Sequence, residues 1–364
     1  CYQNLPPEGR KILFLIMKAC SQWSTIPSSW KLSKVFLIHK GGDQFNADNY
    51  RPISLCPIAY KLYAKIINDR LNHLLVHQDI ISDMQSGFRS HRCCEQKIRQ
   101  LATLYSVSNH TKRAIYALYI DLRKAFDSVE HSSMLLTLSK LGFDPKFVAL
   151  IQRIYTDSNM TIITPHGDTD PQHVQRGVKQ GCPLSPTLFQ LVEEPLLWWF
   201  EQALKDKQIT GFSIDERTAS VALAYADDIA LVSQSSADLQ KILDMYQHFC
   251  IWNGLEIALD RHDARLKQKT VFTHNDTAVP EHKLLIKYAD GSQKEVPTIA
   301  HNECYKYLGV YINVSLCWKQ QREVSAQRVQ GATAYLAQRC FTAQQCVTVV
   351  NHVILPGVEY RMSV

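Results

Sequence analysis

Two adjacent carboxylates, Asp227 and Asp228, are set between short apolar runs at residues 221–226 and 229–232. The runs have strand composition, and the pair falls where a tight hairpin would turn. Asp is common in turns because its side chain bonds the local backbone, and for the hairpin alone that reading stands beside a second one. Like charges roughly 4 Å apart repel by about 4 kcal/mol at an effective dielectric near 20. The pair therefore calls for a nearby positive charge, and a divalent metal is the natural candidate. A third carboxylate, Asp121, stands near the end of an Ile-, Leu- and Tyr-rich run at residues 114–122, where a charge is costly to bury unless it is paired or metal-bound. A strand-end Asp facing a hairpin Asp pair predicts a cage for two Mg2+ ions shared with substrate phosphates, an arrangement that drives in-line displacement at phosphorus. The chemistry implied is phosphoryl or nucleotidyl transfer.

These carboxylates need strands and helices to hold them. Residues 10–20 have helical composition, 35–39 form a short strand, and Lys40-Gly41-Gly42-Asp43 is a flexible turn. A helix is predicted over 60–75, with Leu62, Ile66, Ile67, Leu71, Leu74 and Leu75 at apolar positions. The Asp121 strand leads into a helix over 130–141 that Gly142 closes. Further helices are expected over 147–155 and 184–204, with a hairpin over 161–178 turning at His166-Gly167-Asp168. A helix over 237–253 buries Leu239, Ile242, Leu243, Tyr246 and Phe249 and ends at Gly254. Strands alternating with helices give a mixed α/β (α+β) fold, turning helical after residue 320.

A chain of 364 residues with 46% hydrophobic content can bury a large core and divides into two or three subdomains. The net charge is +6, and residues 31–113 alone hold thirteen Lys and Arg against six Asp and Glu. This basic N-terminal half beside an acidic hairpin suits contact with nucleic-acid phosphates. Eleven cysteines without C-x-x-C spacing signal neither a zinc site nor a redox motif, and their odd number fits a reducing intracellular compartment. No apolar run approaches the roughly 20 residues that span a bilayer, so no membrane partner is expected. Starting at Cys1, the chain reads as a piece of a larger polyprotein.

Six blocks then carry a resemblance. Asn49-Tyr50-Arg51-Pro52-Ile53-Ser54-Leu55, Gln85-Ser86-Gly87-Phe88-Arg89, Asp121-Leu122-Arg123-Lys124-Ala125-Phe126-Asp127, Gln180-Gly181-Cys182-Pro183-Leu184-Ser185-Pro186, Tyr225-Ala226-Asp227-Asp228 and Tyr307-Leu308-Gly309 follow one another along almost the whole chain. In this order they resemble the reverse transcriptase domain of non-LTR (LINE-type) retrotransposons. The resemblance implies a right-hand polymerase fold, with fingers over 1–112, palm over 113–318 and the start of a thumb over 319–364. The fingers would return near 140–178, and an insertion would lie near 275–300. It implies an RNA-directed DNA polymerase that takes an RNA template, a DNA primer and dNTPs, uses two Mg2+ ions (Mn2+ as a substitute) and acts in the nucleus. A group II intron-type maturase, or a decayed copy that binds RNA without polymerising, are the alternatives.

Residue by residue, the resemblance implies that Asp121, Asp227 and Asp228 hold the metals, with Leu122 contributing its carbonyl. Lys40 and Arg51 would grip the triphosphate, as a mobile point charge and a bidentate fork. Phe126 would exclude a ribose 2′-hydroxyl, and Gln180 and Gly181 would contact the nucleotide. Tyr307, Leu308 and Gly309 would hold the primer end, and Tyr225 would pack beneath the hairpin. Lys269 is the expected proton donor to pyrophosphate, followed by Lys267 and then His262. The stretch 260–267 is longer and more charged than the family pattern, and Ala258 stands where the family often has Asn.

Overall fold

A computed structural model of the chain describes residues 5–215, 218–259, 270–275, 283–288 and 291–362. At its centre lies a four-stranded antiparallel sheet in the order Val271–His274, Tyr116–Ile120, Asp228–Ser233, Ala222–Tyr225. Because side chains alternate along a strand, Tyr116, Leu118 and Ile120 enter one core while Ala117 and Tyr119 enter another. On the first face the sheet meets the helices Ser185–Lys205 and Ser236–Asn253, through residues such as Leu188, Phe189, Leu239 and Tyr246. On the second it meets the helix Cys94–Thr111 and the hairpin Tyr305–Tyr307/Val310–Ile312. Burial on both faces explains why the Asp121 strand reads as one unbroken apolar run.

A second sheet stands beside it. Leu32–His39 pairs antiparallel with Tyr50–Leu55 and parallel with Asn159–Thr164, on which the two-residue strands Gly167–Asp168 and Gln172–His173 also pair. Helix Ile58–His77 buries Tyr60, Tyr63, Ala64, Ile67, Leu71 and Leu75, and Pro145–Tyr155 buries Leu150, Ile151, Ile154 and Tyr155. The chain closes with the helices Lys319–Ala337, Ala343–Val349 and Leu355–Met362.

Most elements lie within three residues of the expected bounds, and the differences have local causes. The first helix runs Pro7–Trp23, starting at a proline that lacks the amide a helix start leaves unpaired anyway. The helix expected over 237–253 begins at Ser236, because the Ser235 hydroxyl accepts from the Asp238 amide, and it ends at Gly254 in left-handed conformation. The 161–178 hairpin is broken: its first strand is Asn159–Thr164, it turns at Pro165-His166, and residues 174–178 are not strand. Within residues 275–300, where an insertion is expected, Leu285–Lys287 pairs with Gln293–Glu295 in a hairpin. Among the described residues no helix is long and apolar enough to cross a membrane.

Candidate active site

The three sequence-singled aspartates meet at one end of the central sheet. Ile229 pairs with Ile120 as the last pair of the ladder, so Asp228 and Asp121 are the next residues of their two segments at the same sheet end. Tyr225 pairs with Asp228, which leaves Ala226 and Asp227 as a two-residue turn, with Asp228 the first residue of the return strand rather than part of the turn. Asp121 and Asp227 are half-buried and Asp228 is exposed. The Asp121 amide donates to Thr270 Oγ1 at 3.1 Å, and its carbonyl accepts from the Ala258 amide at 2.8 Å. Arg123 N donates to Glu256 O at 2.8 Å on the same edge. Ladder alternation then turns the intervening Leu122 carbonyl toward the hairpin.

Three carboxylates and a carbonyl at one sheet end are hard oxygen donors, a set that suits a divalent cation. The expected cage is nevertheless not closed by side chains: among the described residues no three His, Cys, Asp or Glu groups converge on one point. Mutual repulsion, about 4 kcal/mol per pair at close approach, acts against such convergence.

Directly behind the turn sits Gln85, which is buried. Its Oε1 accepts from the amides of Ala226 (2.9 Å) and Gly87 (2.7 Å), and its Nε2 donates to the Ala226 carbonyl (3.2 Å) and to Glu193 Oε2 (2.9 Å). Ala226 has φ +54°, a left-handed conformation that costs an L-residue other than Gly about 1–2 kcal/mol. The segment around Gln85 is itself bonded to the hairpin: Ser86 N donates to Ala224 O and Ala224 N to Met84 O, each at 2.9 Å. Arg89 donates to the carbonyls of Ser82 and Gln85, and the buried Lys97 to that of Asp83. Burial pushes the Glu193 carboxyl well above its ordinary range, and the charge of nearby Asp227 adds to the shift. Its neighbour Glu194 is pushed up to about 8, chiefly by burial.

On the side of the second sheet, Lys40 follows the strand Leu32–His39, and its amide donates to Asn49 O at 2.7 Å. Arg51 lies opposite Ile38, is exposed, and makes no ion pair among the described residues. Gln180 presents its amide to both oxygens of Asp127, at 3.0 and 2.9 Å, so that donor is engaged within the protein. Burial raises the Asp127 carboxyl, against the lowering effects of Gln180, Lys124 and Lys40. Gly181, at φ +118°, lies so close to the neighbouring strand that a Cβ would fall 2.6 Å from Ser54 O. The Ser54 amide donates to Gln180 O at 2.6 Å, tying this loop to the strand Tyr50–Leu55. A cavity of about 340 Å³ opens here, lined among others by Tyr50, Ser54, Lys124, Asp127 and Gln180.

Phe126 stacks on the buried Phe189 with ring centroids 4.7 Å apart, and Phe88 meets it edge-on at 6.2 Å. Phe88 is 42% exposed and has φ +56°, a strained position for a bulky residue. Tyr307, expected at the primer end, is buried instead, and its hydroxyl donates to Leu223 O at 2.8 Å. The Leu308-Gly309 turn, both residues at positive φ, is half-buried, and the Leu308 carbonyl accepts from the Tyr360 hydroxyl. Tyr225 is half-buried beside Cys94. Lys269, Lys267 and His262 lie outside the described residues.

Gln85, Glu193, Arg89 and Thr270 received no role from sequence reasoning. For Glu193 a signal existed: Glu193-Glu194 interrupts an otherwise apolar helix between Leu191-Val192 and Leu196-Leu197.

With this geometry in place, comparison with known proteins is specific. The family described as "Reverse transcriptase (RNA-dependent DNA polymerase)" matches residues 38–312. The "Transposon TX1 uncharacterized 149 kDa protein" of Xenopus laevis is 28% identical over 313 residues, covering 86% of this chain and 22% of that protein. The "RNA-directed DNA polymerase from mobile element jockey" of Drosophila melanogaster is 23% identical over 376 residues, covering 99% and 38%. A telomerase from Candida tropicalis, solved with a fragment of telomeric RNA, shares the fold with a TM-score of 0.52 at 14% identity, over 84% of this chain and 47% of that one. The chain thus spans well under half the length of the curated relatives it matches.

Proposed function

The chain belongs to the reverse transcriptase family, and on that premise we propose that it is the polymerase part of a LINE-type retrotransposon protein, extending a DNA primer with dNTPs along an RNA template. The observation that carries the reading is that Asp121 and Asp228 each adjoin the last ladder pair, Ile120 with Ile229, at one sheet end, with Asp227 in the turn beside them. Two Mg2+ ions would be held by these three carboxylates and the Leu122 carbonyl. Bound there, they would supply activation of the primer 3′-hydroxyl and neutralisation of charge on the departing pyrophosphate.

The remaining steps belong to the chain's own residues. Lys40 and Arg51 bind the triphosphate, and Phe126, braced from behind by Phe189, closes the space a 2′-hydroxyl would need. Gln180 and Gly181 bound the nucleotide on the other side, and the Leu308-Gly309 turn supports the primer end. The new bond joins the primer 3′-oxygen to the α-phosphorus as the bond to pyrophosphate breaks. Lys269 then gives its proton to the leaving group, a contribution of about 10²–10⁴-fold in rate for a positioned donor. Nuclear action is part of the proposal, since LINE-type elements prime on chromosomal DNA.

The test is extension of a primed RNA template with dNTPs and Mg2+, beside an Asp227→Ala/Asp228→Ala control. Extension lost only in the control supports the reading. A folded protein that binds RNA and extends nothing refutes it.

A further inference from the structure

We propose that Gln85 is a positioning residue of the polymerase site: its carboxamide clasps the Ala226 peptide on both sides and holds the Asp227 turn in a conformation that the turn's own sequence disfavours. The inference rests on the reading of the Asp121, Asp227 and Asp228 cluster as that site.

Two-residue hairpin turns need positive φ, which is why Gly, Asn or Asp normally occupies them. Here the residue at φ +54° is Ala226, with neither the freedom of Gly nor a side chain able to bond its own backbone. The stabilisation comes from outside the hairpin. Gln85 lies 141 residues away in sequence, yet its oxygen accepts from the Ala226 amide and its nitrogen donates to the Ala226 carbonyl.

The orientation of the carboxamide follows from its partners. Backbone amides can only donate, so the atom facing Ala226 N and Gly87 N must be the oxygen, and the atom facing Ala226 O and Glu193 must be the nitrogen. All four bonding positions of the carboxamide are filled. The platform under it is equally committed, with Gln190 Nε2 donating to Gly87 O at 3.1 Å and Arg89 holding the Gln85 carbonyl. The action of this set on the chemistry runs through Ala226 into Asp227.

The experiment uses the full chain and three changes: Gln85→Leu, Gln85→Glu, and the exchange pair Gln85→Glu/Glu193→Gln, which keeps one amide and one carboxylate in contact. Hydrogen exchange of residues 221–233, measured without nucleic acid or metal, is expected to speed up at least about tenfold in Gln85→Leu, while the helix Lys319–Ala337 is unchanged. Primer extension is expected to lose at least about tenfold in kcat with dNTP KM changed less than about threefold, the signature of a displaced rather than a missing group. Gln85→Glu keeps both acceptor bonds and loses both donors, so it falls between wild type and Gln85→Leu, and the exchange pair recovers part of its loss.

Wild-type hairpin exchange and kcat in Gln85→Leu would overturn the proposal. If Gln85→Leu does not fold, the decision passes to Gln85→Glu and the exchange pair, and a pair no better than Gln85→Glu alone overturns it. If the wild-type chain extends no primer, the polymerase reading fails, while the exchange measurement still judges the clasp.

Discussion

Gly87→Ala places one methyl group where the structure has no room for it. A Cβ built there lies 2.2 Å from Ala226 N, 2.9 Å from Ala226 Cα and 3.0 Å from Gln85 Oε1, against 3.4 Å for the start of ordinary contact. The nearest atoms are backbone, so no side chain can swing aside, and the turn must retreat by about 1 Å. A misplacement of that size beside reacting atoms costs on the order of 10²-fold in rate, and overpacking costs about 1–3 kcal/mol in stability. Gly331→Ala is the matched control: among the described residues no atom outside its own helix backbone lies within 4 Å of the point its Cβ would occupy on the helix Lys319–Ala337, and replacing Gly by Ala in a helix stabilises by about 1 kcal/mol. Single-turnover primer extension at saturating dNTP, paired with thermal unfolding, measures both quantities. A Gly87→Ala enzyme that extends within about threefold of wild type would refute the reasoning, because the turn would have moved without consequence for the aspartates.

Phe126→Val is expected to raise ribonucleotide incorporation relative to deoxyribonucleotide by about tenfold or more and to cost about 2 kcal/mol through lost packing on Phe189; unchanged sugar selection would remove Phe126 from that role. Tyr307→Phe removes the hydroxyl that donates to Leu223 O, whose ladder position opposite Ala230 is kept, and should cost about 0.5–1.5 kcal/mol while extension stays near wild type, as unfolding and rate measurements together would report. Glu194→Gln tests a buried acid whose folded value is raised from 4.5 to about 8. Between those limits the folded state holds a proton that the unfolded state has released, so this contribution is full below pH 4.5 and is lost as pH rises through 8. Urea midpoints taken from pH 5 to 9 should therefore fall more steeply in wild type than in the variant, and parallel curves would contradict the assignment.

The site's carboxylates were legible because their positions conflict with local preference. A charge ending an apolar run and a double charge inside a hairpin both need an explanation from outside their own segment. The helices Ile58–His77 and Ser236–Asn253 were legible from apolar spacing and, for the second, from its closing glycine. Cys94–Thr111 was not: its Ser, Asn, His and Thr content dilutes the pattern, and what makes it a helix is burial of Ile98, Leu101, Leu104 and Tyr105 against the central sheet. Tyr307 was expected to hold the primer end with Leu308 and Gly309, but the alternation along that hairpin does not say which face meets the core, and Tyr307 lies on the buried one. The Gln85 contacts were invisible for a further reason. A glutamine beside a Ser-Gly pair looks like any polar loop until Ala226 is seen to need it.

The parallel pairing of Leu32–Val35 with Asn159–Ile162 joins segments more than a hundred residues apart, and this has a consequence for the order of folding. Contacts of such separation form slowly, since a long loop must close before any bond rewards it. As the chain leaves the ribosome, the strand Leu32–His39 meets Tyr50–Leu55 early and its other partner, Asn159–Thr164, more than a hundred residues later. Tyr116–Ile120 likewise waits for Asp228–Ser233 on one edge and Val271–His274 on the other. One sheet thus begins as a two-stranded hairpin with an open edge and the other as a lone strand, a vulnerable state for strands this apolar. A message or nascent chain broken before the hairpin would yield an aggregation-prone fragment rather than a weak enzyme, making production of the catalytic site close to all-or-none.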